Sequence, residues 1–290
     1  MCTIGCVYAD RAVYTFKQCD LTKETLFYAP EMVRGSAGTY AAFRRQGRPG
    51  IWSGLNEYGL CFVAADYYTN SDPGSTQAEA SGRFLATNTH LEPNDDVDRL
   101  FKAYESSIAD HTNAQSAVAF LADWYLHHGD TTDPRHPNFK SPDIALLADG
   151  QNGIFIEYYP GDDMITPRVK TLSAQGNAVA NVAGWFASTN HARMFAQTVD
   201  YPKNHSTYLR LARAEALLNQ TPTQDGIKRV LSDQYYGQTE LSICRVANAP
   251  NEYYTQATVI LSQGPTWAGA EYLINGNPRT KPYSVIKRRG

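Results

Sequence analysis

No stretch of this sequence stays apolar for the roughly eighteen residues that a membrane-crossing helix needs, and no basic segment followed by an apolar run opens it. Charge of either sign is not in excess: 26 Lys and Arg against 29 Asp and Glu leave a formal −3. A chain so balanced offers no broad basic face to nucleic acid or to an anionic membrane. Cysteine is scarce. Its five copies, Cys2, Cys6, Cys19, Cys61 and Cys244, are odd in number and show no paired spacing, which argues against a disulfide framework. Without a C-x-x-C pair a structural zinc site is not expected either. His127, His128 and His136 share one stretch of loop composition, but their spacing fits no zinc pattern, so neither metal nor cofactor is expected. Internal repeats and low-complexity segments are absent. A soluble protein of the reducing cytoplasm is the expectation, and a reactive thiol survives there.

What is present begins with size: 290 residues can bury a substantial core, and one domain over 1–290 is expected. Tyr outnumbers Phe, 19 to 11, which suits amphipathic pockets and buried rings with satisfied hydroxyls. The most informative residue is Cys2. Once Met1 is removed, a thiol and a free α-amine sit on one residue. An α-amine has an ordinary pKa of about 7.7–8.0 and can act as a base near neutrality. The thiolate is a strong nucleophile, so one residue can supply both nucleophile and proton acceptor.

The residues that follow favour this use of Cys2. Thr3 to Tyr8 reads as a strand, Ala9-Asp10-Arg11 as a turn and Ala12 to Phe16 as a returning strand. Such a hairpin holds the N-terminus in a sheet and brings Lys17 and Asp20 back toward Cys2. A cation beside a thiol lowers its pKa, and a carboxylate can orient an ammonium.

Cys2, the hairpin and Phe16-Lys17-x-x-Asp20 resemble the start of the choloylglycine hydrolase and penicillin V acylase family, and equally that of the acyl-coenzyme A:6-aminopenicillanic acid acyltransferases. Both are N-terminal nucleophile (Ntn) hydrolases. Those families have Arg where this chain has Lys17, so a bidentate guanidinium is replaced by a point charge. Further matches are dispersed. Gly54-Leu-Asn56-Glu-Tyr-Gly59-Leu60, a turn between Ile51-Trp52 and an apolar strand, is similar to the family's G-x-N-x-x-G-L segment. At that strand's end the family places an oxyanion-hole residue, usually Asn or Tyr. Asp66 falls there, with Tyr67 and Tyr68 beside it. A carboxylate has the wrong sign for an oxyanion. Asp66 therefore offers its backbone N–H, binds a cationic part of the substrate, or merely caps a turn.

Val182 to Thr189 reads as a strand ending in Ser188-Thr189-Asn190-His191, and the resemblance gives Asn190 the side-chain donor to the tetrahedral oxyanion. His191 is expected to be a neighbour, because the α-amine already fills the base's role. Ser206 to Asn219 is the clearest helix, with Ser206 expected as its N-cap. Ser206 and Arg210 match the family's Ser-x-x-x-Arg, in which Arg supports the surroundings of the nucleophile. Arg213 competes for that place, and an exposed Arg paired with Glu215 is the plain alternative. Asn275-Gly-Asn-Pro278 is similar to a segment near the families' C-termini.

The remaining reading is coarse. Residues 21–35 look loop-like, Gly38 to Arg45 strand-like, and 69–94 a polar loop bordering the site. Helical spacing of Val97, Leu100, Phe101, Tyr104 and Ile108 predicts a helix over 95–110, and Asn113 caps another carrying Ala117, Phe120, Leu121, Trp124 and Tyr125. Ile144–Ala148 and Gly153–Tyr159 form a hairpin, and Pro222–Gln234 a short helix. Leu241–Val246, Ala257–Ser262 and Ala268–Ile274 read as strands, and Lys287-Arg-Arg289 as a solvated tail. This order suits an α+β fold, and the resemblance implies a four-layer αββα sandwich. It also implies a cysteine amidohydrolase that cleaves a linear non-peptide amide through an S-acyl enzyme. An acyltransferase moving an acyl group from a thioester or amide to an amine, as in natural-product biosynthesis, shares every catalytic residue. An inactive Ntn-fold binding protein is the third reading, favoured if Met1 is kept. The partner expected is a small-molecule amide or acyl thioester, and the sequence leaves oligomeric state open, a homo-oligomer included. The Arg and Asn features typical of bile-salt enzymes are scarce, which argues against bile salts.

Overall fold

The protein is described by a computed structural model covering residues 2–66, 95–128, 138–139, 142–160, 167–175, 184–195, 203–246 and 253–289. Two antiparallel sheets and four helices make up the described residues. One sheet has six strands in the order β10 (Trp185–Ser188), β1 (Cys2–Ala9), β2 (Ala12–Leu21), β11 (Tyr254–Gly264), β12 (Trp267–Ile274) and β13 (Ser284–Arg289). The other has seven, in chain order from β3 (Glu31–Gly35) through β4 (Gly38–Phe43), β5 (Ser53–Asn56), β6 (Cys61–Asp66), β7 (Asp143–Ala148) and β8 (Asn152–Tyr159) to β9 (Arg168–Gln175).

The strands of the N-terminal hairpin carry apolar residues on both faces. Side chains alternate across a strand. Cys2, Ile4, Cys6, Val13, Cys19 and Leu21 enter one buried cluster, which they share with the second sheet. Val7, Ala12, Tyr14 and Phe16 enter another, with residues of helices α3 (Ser206–Gln220) and α4 (Gln224–Leu231). Both faces of β1 and β2 are thus covered, and alternation of polar and apolar residues has nothing to mark. The turn between them is only Asp10-Arg11, both at positive φ (52° and 62°), the backbone of a type I′ hairpin. Burying every residue of β2, Lys17 and Asp20 included, commits the chain to partner its charges internally.

Helix α1 (Asp95–Ala109) packs on β4, β5 and β6, and α2 (Ala114–His127) on β7, β8 and β9. Asn113 caps α2 as expected, its side chain accepting from the Ser116 N–H at 2.9 Å. Asn56 ties the β5–β6 turn to the end of α1: its Oδ1 accepts from Tyr58 and Leu60 N–H, and its Nδ2 donates to the Ile108 and His111 carbonyls. The Asn of the G-x-N-x-x-G-L segment is therefore a structural clamp here. Gly59 follows at φ 84°, where an L side chain is strained.

Three expectations are corrected. Residues 21–35 contain β3 and the end of β2, which their polar composition hides. The basic tail 287–289 is paired to β12 as part of β13. Leu241–Val246 forms turns and bends, because the segment carries Arg245 inward to a charge. Strand β9, with little apolar content, forms one edge of the seven-stranded sheet. His127 and His128 are exposed and bonded to Asp123, and no cluster of metal-ligating side chains occurs among the described residues. No helix there is long and apolar enough to cross a membrane.

Candidate active site

Cys2 opens β1, buried at 3% exposure, while Met1 lies outside the described residues. Two side chains hold its backbone. The Cys2 nitrogen donates to Asn190 Oδ1 at 3.0 Å, and the Cys2 carbonyl accepts from Arg210 Nη1 at 2.6 Å. Arg210 Nη2 donates to the same Asn190 oxygen at 2.9 Å, closing a ring of hydrogen bonds around the strand end. Two donors facing one amide atom require that atom to be oxygen, which fixes the amide orientation and turns Nδ2 the other way.

Arg210 reaches Cys2 because α3 starts at Ser206, and a residue four positions on stands over it on the same helix face. Arg210 Nε donates to Ser206 Oγ at 3.2 Å, and Nη1 also donates to Thr3 Oγ1 at 3.2 Å. The guanidinium is wholly buried, and of the two arginines it is Arg210 that meets Cys2. Arg213 pairs with Asp233 at 2.9 Å, and Glu215 pairs with Arg193. The expected N-cap is corrected: His205 caps α3, its Nδ1 accepting from Thr207 N–H at 3.2 Å. Burial, then Arg210 and Arg245, push His205 down to about 4, which keeps that nitrogen an acceptor at neutral pH.

Asn190 is held from both sides. Its N–H donates to Thr207 Oγ1 at 3.1 Å, and Glu157, wholly buried, accepts the backbone N–H groups of Arg193, Met194 and Phe195 in the following loop. His191 is a neighbour, as expected: Nδ1 lies 3.1 Å from Thr189 Oγ1 and 3.0 Å from Thr207 Oγ1. Burial, joined by repulsion from Arg193, Arg210 and His205, pushes it down to about 3. It is neutral at neutral pH and cannot serve as an acid there.

That depression makes a stability prediction. Above about pH 6.5 the imidazole is neutral folded and unfolded, and contributes no pH dependence. Below it, the unfolded chain binds a proton that the folded chain refuses, so stability falls until about pH 3. The loss from this one residue is expected to be on the order of 2 kcal/mol at about pH 5. Urea midpoints across this range check it, and His191→Gln should flatten the drop.

Lys17 and Cys19 project from β2 to the same face as Cys2, since Cys2 stands opposite Cys19 and Ile4 opposite Lys17. Lys17 Nζ donates to the Trp52 carbonyl at 3.4 Å and lies 5.5 Å from the Trp52 ring centre. Asp20 points to the opposite face. Its carboxylate accepts from Thr255 Oγ1 at 2.8 Å and Gln18 Nε2 at 3.3 Å, and forms an ion pair with Arg245, Nε to Oδ2 3.3 Å. Asp66 ends β6, which packs over β1 and β2, and is paired with Asp143 in the ladder. Tyr67 and Tyr68 lie outside the described residues, as does the 69–94 segment.

The residue that sequence reading missed is Arg245. It is buried to 1%, and its Nη2 donates to Ser206 Oγ at 2.8 Å and to the Glu240 carbonyl. Ser206 therefore joins the two buried arginines, one on Cys2 and one on Asp20. A lone Arg inside Ile243-Cys-Arg-Val246 was the available sign, because an apolar run admits a charge only where a partner waits. Thr207 and Thr255, ordinary in sequence, gave none.

No family model matches this chain, and no curated protein matches its sequence. Solved structures similar to it include the Caenorhabditis elegans ortholog of N-acylethanolamine-hydrolyzing acid amidase, at 14% identity and TM-score 0.49, covering 89% of this chain and 92% of that one. A mutant of conjugated bile acid hydrolase from Clostridium perfringens is similar at 10% identity and TM-score 0.49, covering 99% and 97%. A second variant of that hydrolase has 8% identity and the same TM-score, 0.49, covering 99% and 97%.

Proposed function

We propose that this chain is an Ntn cysteine amidohydrolase, one domain of the four-layer αββα type, cleaving a linear non-peptide amide through an S-acyl enzyme. The two cores support the layering: α1 and α2 cover the seven-stranded sheet, α3 and α4 the six-stranded one, and the sheets meet between them. One observation carries the chemistry: the backbone nitrogen of Cys2 lies 3.0 Å from Asn190 Oδ1, itself fixed by the buried Arg210. With Met1 removed, that nitrogen is an α-amine held against its own thiol.

In the proposed reaction Cys2 Sγ attacks the substrate carbonyl, and the thiol proton passes to the α-amine, directly or through water. The oxyanion is met by Asn190 Nδ2 and by a backbone donor near Asp66. The C–N bond then breaks, the amine leaves with the proton, and an S-acyl enzyme remains. Water then attacks the thioester, losing its proton to the Cys2 α-amine, which returns it to the departing sulfur as the acid is released. Asp20, whose carboxylate is paired with Arg245 on the face away from the thiol, orients the amine from that side. Arg210 braces Asn190, and Lys17 supplies positive charge on the thiol's face of the sheet.

An acyl thioester or activated amide supplied to protein whose intact mass lacks Met1 should leave an acyl group on Cys2. An adduct on Cys61 or Cys244, or turnover by protein that retains Met1, would overturn the mechanism. Added amines separate the two outcomes of the same intermediate: free acid marks a hydrolase, and an amide product an acyltransferase.

A further inference from the structure

The proposed reaction uses one thiol and leaves another beside it. Cys19 stands directly opposite Cys2 in the β1–β2 ladder. The turn settles what kind of pair this is. A two-residue turn with both φ positive closes on Ala9 and Ala12 as a hydrogen-bonded pair. From there hydrogen-bonded and non-hydrogen-bonded pairs alternate, and the register is unbroken to the strand end. Cys2 and Cys19 lie an odd number of steps from the turn, so theirs is a non-hydrogen-bonded pair. Such pairs hold their Cα atoms about 4.5 Å apart, with side chains at closest approach. That separation falls inside the roughly 4.4–6.8 Å that disulfides span. Both side chains enter the same buried cluster, and none of the five cysteines is in a disulfide.

We infer that Cys2 and Cys19 form a reversible oxidation site, in which a cross-strand disulfide silences Cys2 and guards it against irreversible oxidation. The oxidant class is a hydroperoxide. Cys2 thiolate attacks its terminal oxygen, the O–O bond breaks, and Cys2 becomes a sulfenic acid. Cys19 sulfur then attacks Cys2 sulfur, releasing the oxygen as water. Two thiols give up two electrons and two protons, and hydrogen peroxide leaves as two waters. A dithiol reverses the step by exchange through a mixed disulfide. Burial, together with the Cys2 thiol, pushes Cys19 well above the ordinary thiol range, and Lys17 only partly offsets this. Cys19 at rest is therefore the protonated, resolving partner.

The bond rests on strand geometry; its effect on turnover rests on Cys2 being the nucleophile. The test treats the full chain with hydrogen peroxide, blocks remaining thiols by alkylation and maps the peptides. A Cys2–Cys19 linked peptide is expected, with near-complete loss of turnover that dithiothreitol restores. Cys19→Ser under the same treatment should lose turnover without recovery, relative to its own untreated rate, and carry Cys2 as sulfinic or sulfonic acid. Cys19→Ala provides the same comparison without a hydroxyl. Alkylation of both thiols after peroxide, or a bridge to Cys6, Cys61 or Cys244, would overturn the inference. A Cys2–Cys19 bridge that leaves turnover intact would uphold the site and overturn Cys2 as nucleophile.

Discussion

Arg245→Met should cost about 3–5 kcal/mol of folding stability, and adding Asp20→Asn should return most of it. Arg245 and Asp20 are both buried, at 1% and 0% exposure, with 3.3 Å between Nε and Oδ2. Removing the guanidinium takes the countercharge from a wholly buried carboxylate, whose other oxygen accepts from the neutral donors Thr255 and Gln18. An uncompensated buried charge is what makes such single variants costly, since the pair itself gives little net stability over an apolar replacement. Asparagine can keep the Thr255 and Gln18 hydrogen bonds on its carbonyl oxygen and needs no countercharge. Urea denaturation of both variants reads the effect. A single-variant loss below about 1 kcal/mol would place this pair with screened surface ion pairs. Turnover should not return with stability, because the proposed carboxylate partner of the α-amine is gone. The double variant thus separates what Asp20 does for the fold from what it does for the reaction.

Which parts of this arrangement could be read in the sequence follows from where each residue's partners lie along the chain. The β1–β2 hairpin, the β7–β8 hairpin and helices α1 to α4 are local structures, announced by turn residues, capping Asn113 and helical spacing. Asn190 and Arg210 were singled out by the resemblance, one just past β10 and the other four residues into α3. Their meeting at Cys2 was not, since it joins positions 2, 190 and 210 through sheet order and a helix crossing. The same holds for Arg245, which reaches Asp20 across 225 positions. Edge strands β3 and β13 were hidden for another reason: they bury little, so their residues carry no apolar pattern to read. His205 displaced Ser206 as cap because Ser206 is used elsewhere, between two guanidinium groups, and a neutral imidazole nitrogen can accept in its place.

Cys2→Ala should lower turnover by about four orders of magnitude or more while shifting stability by only about 1–2 kcal/mol. The asymmetry follows from what holds the residue. Asn190 and Arg210 bind the Cys2 backbone, nitrogen and carbonyl, so a change of side chain leaves both in place. What is lost is one buried sulfur, a small apolar volume near Cys19. Asn190→Ala behaves differently on the same reasoning. It removes the acceptor shared by the Cys2 nitrogen and Arg210, leaves a buried guanidinium donor without that oxygen, and should lower stability and turnover together. Thermal unfolding beside turnover on one amide, measured for both variants, distinguishes a nucleophile from a bracket. If Cys2→Ala kept its turnover, the reactive atom would lie elsewhere, and the hydrogen bonds around residue 2 would be those of a well-anchored strand end and nothing more.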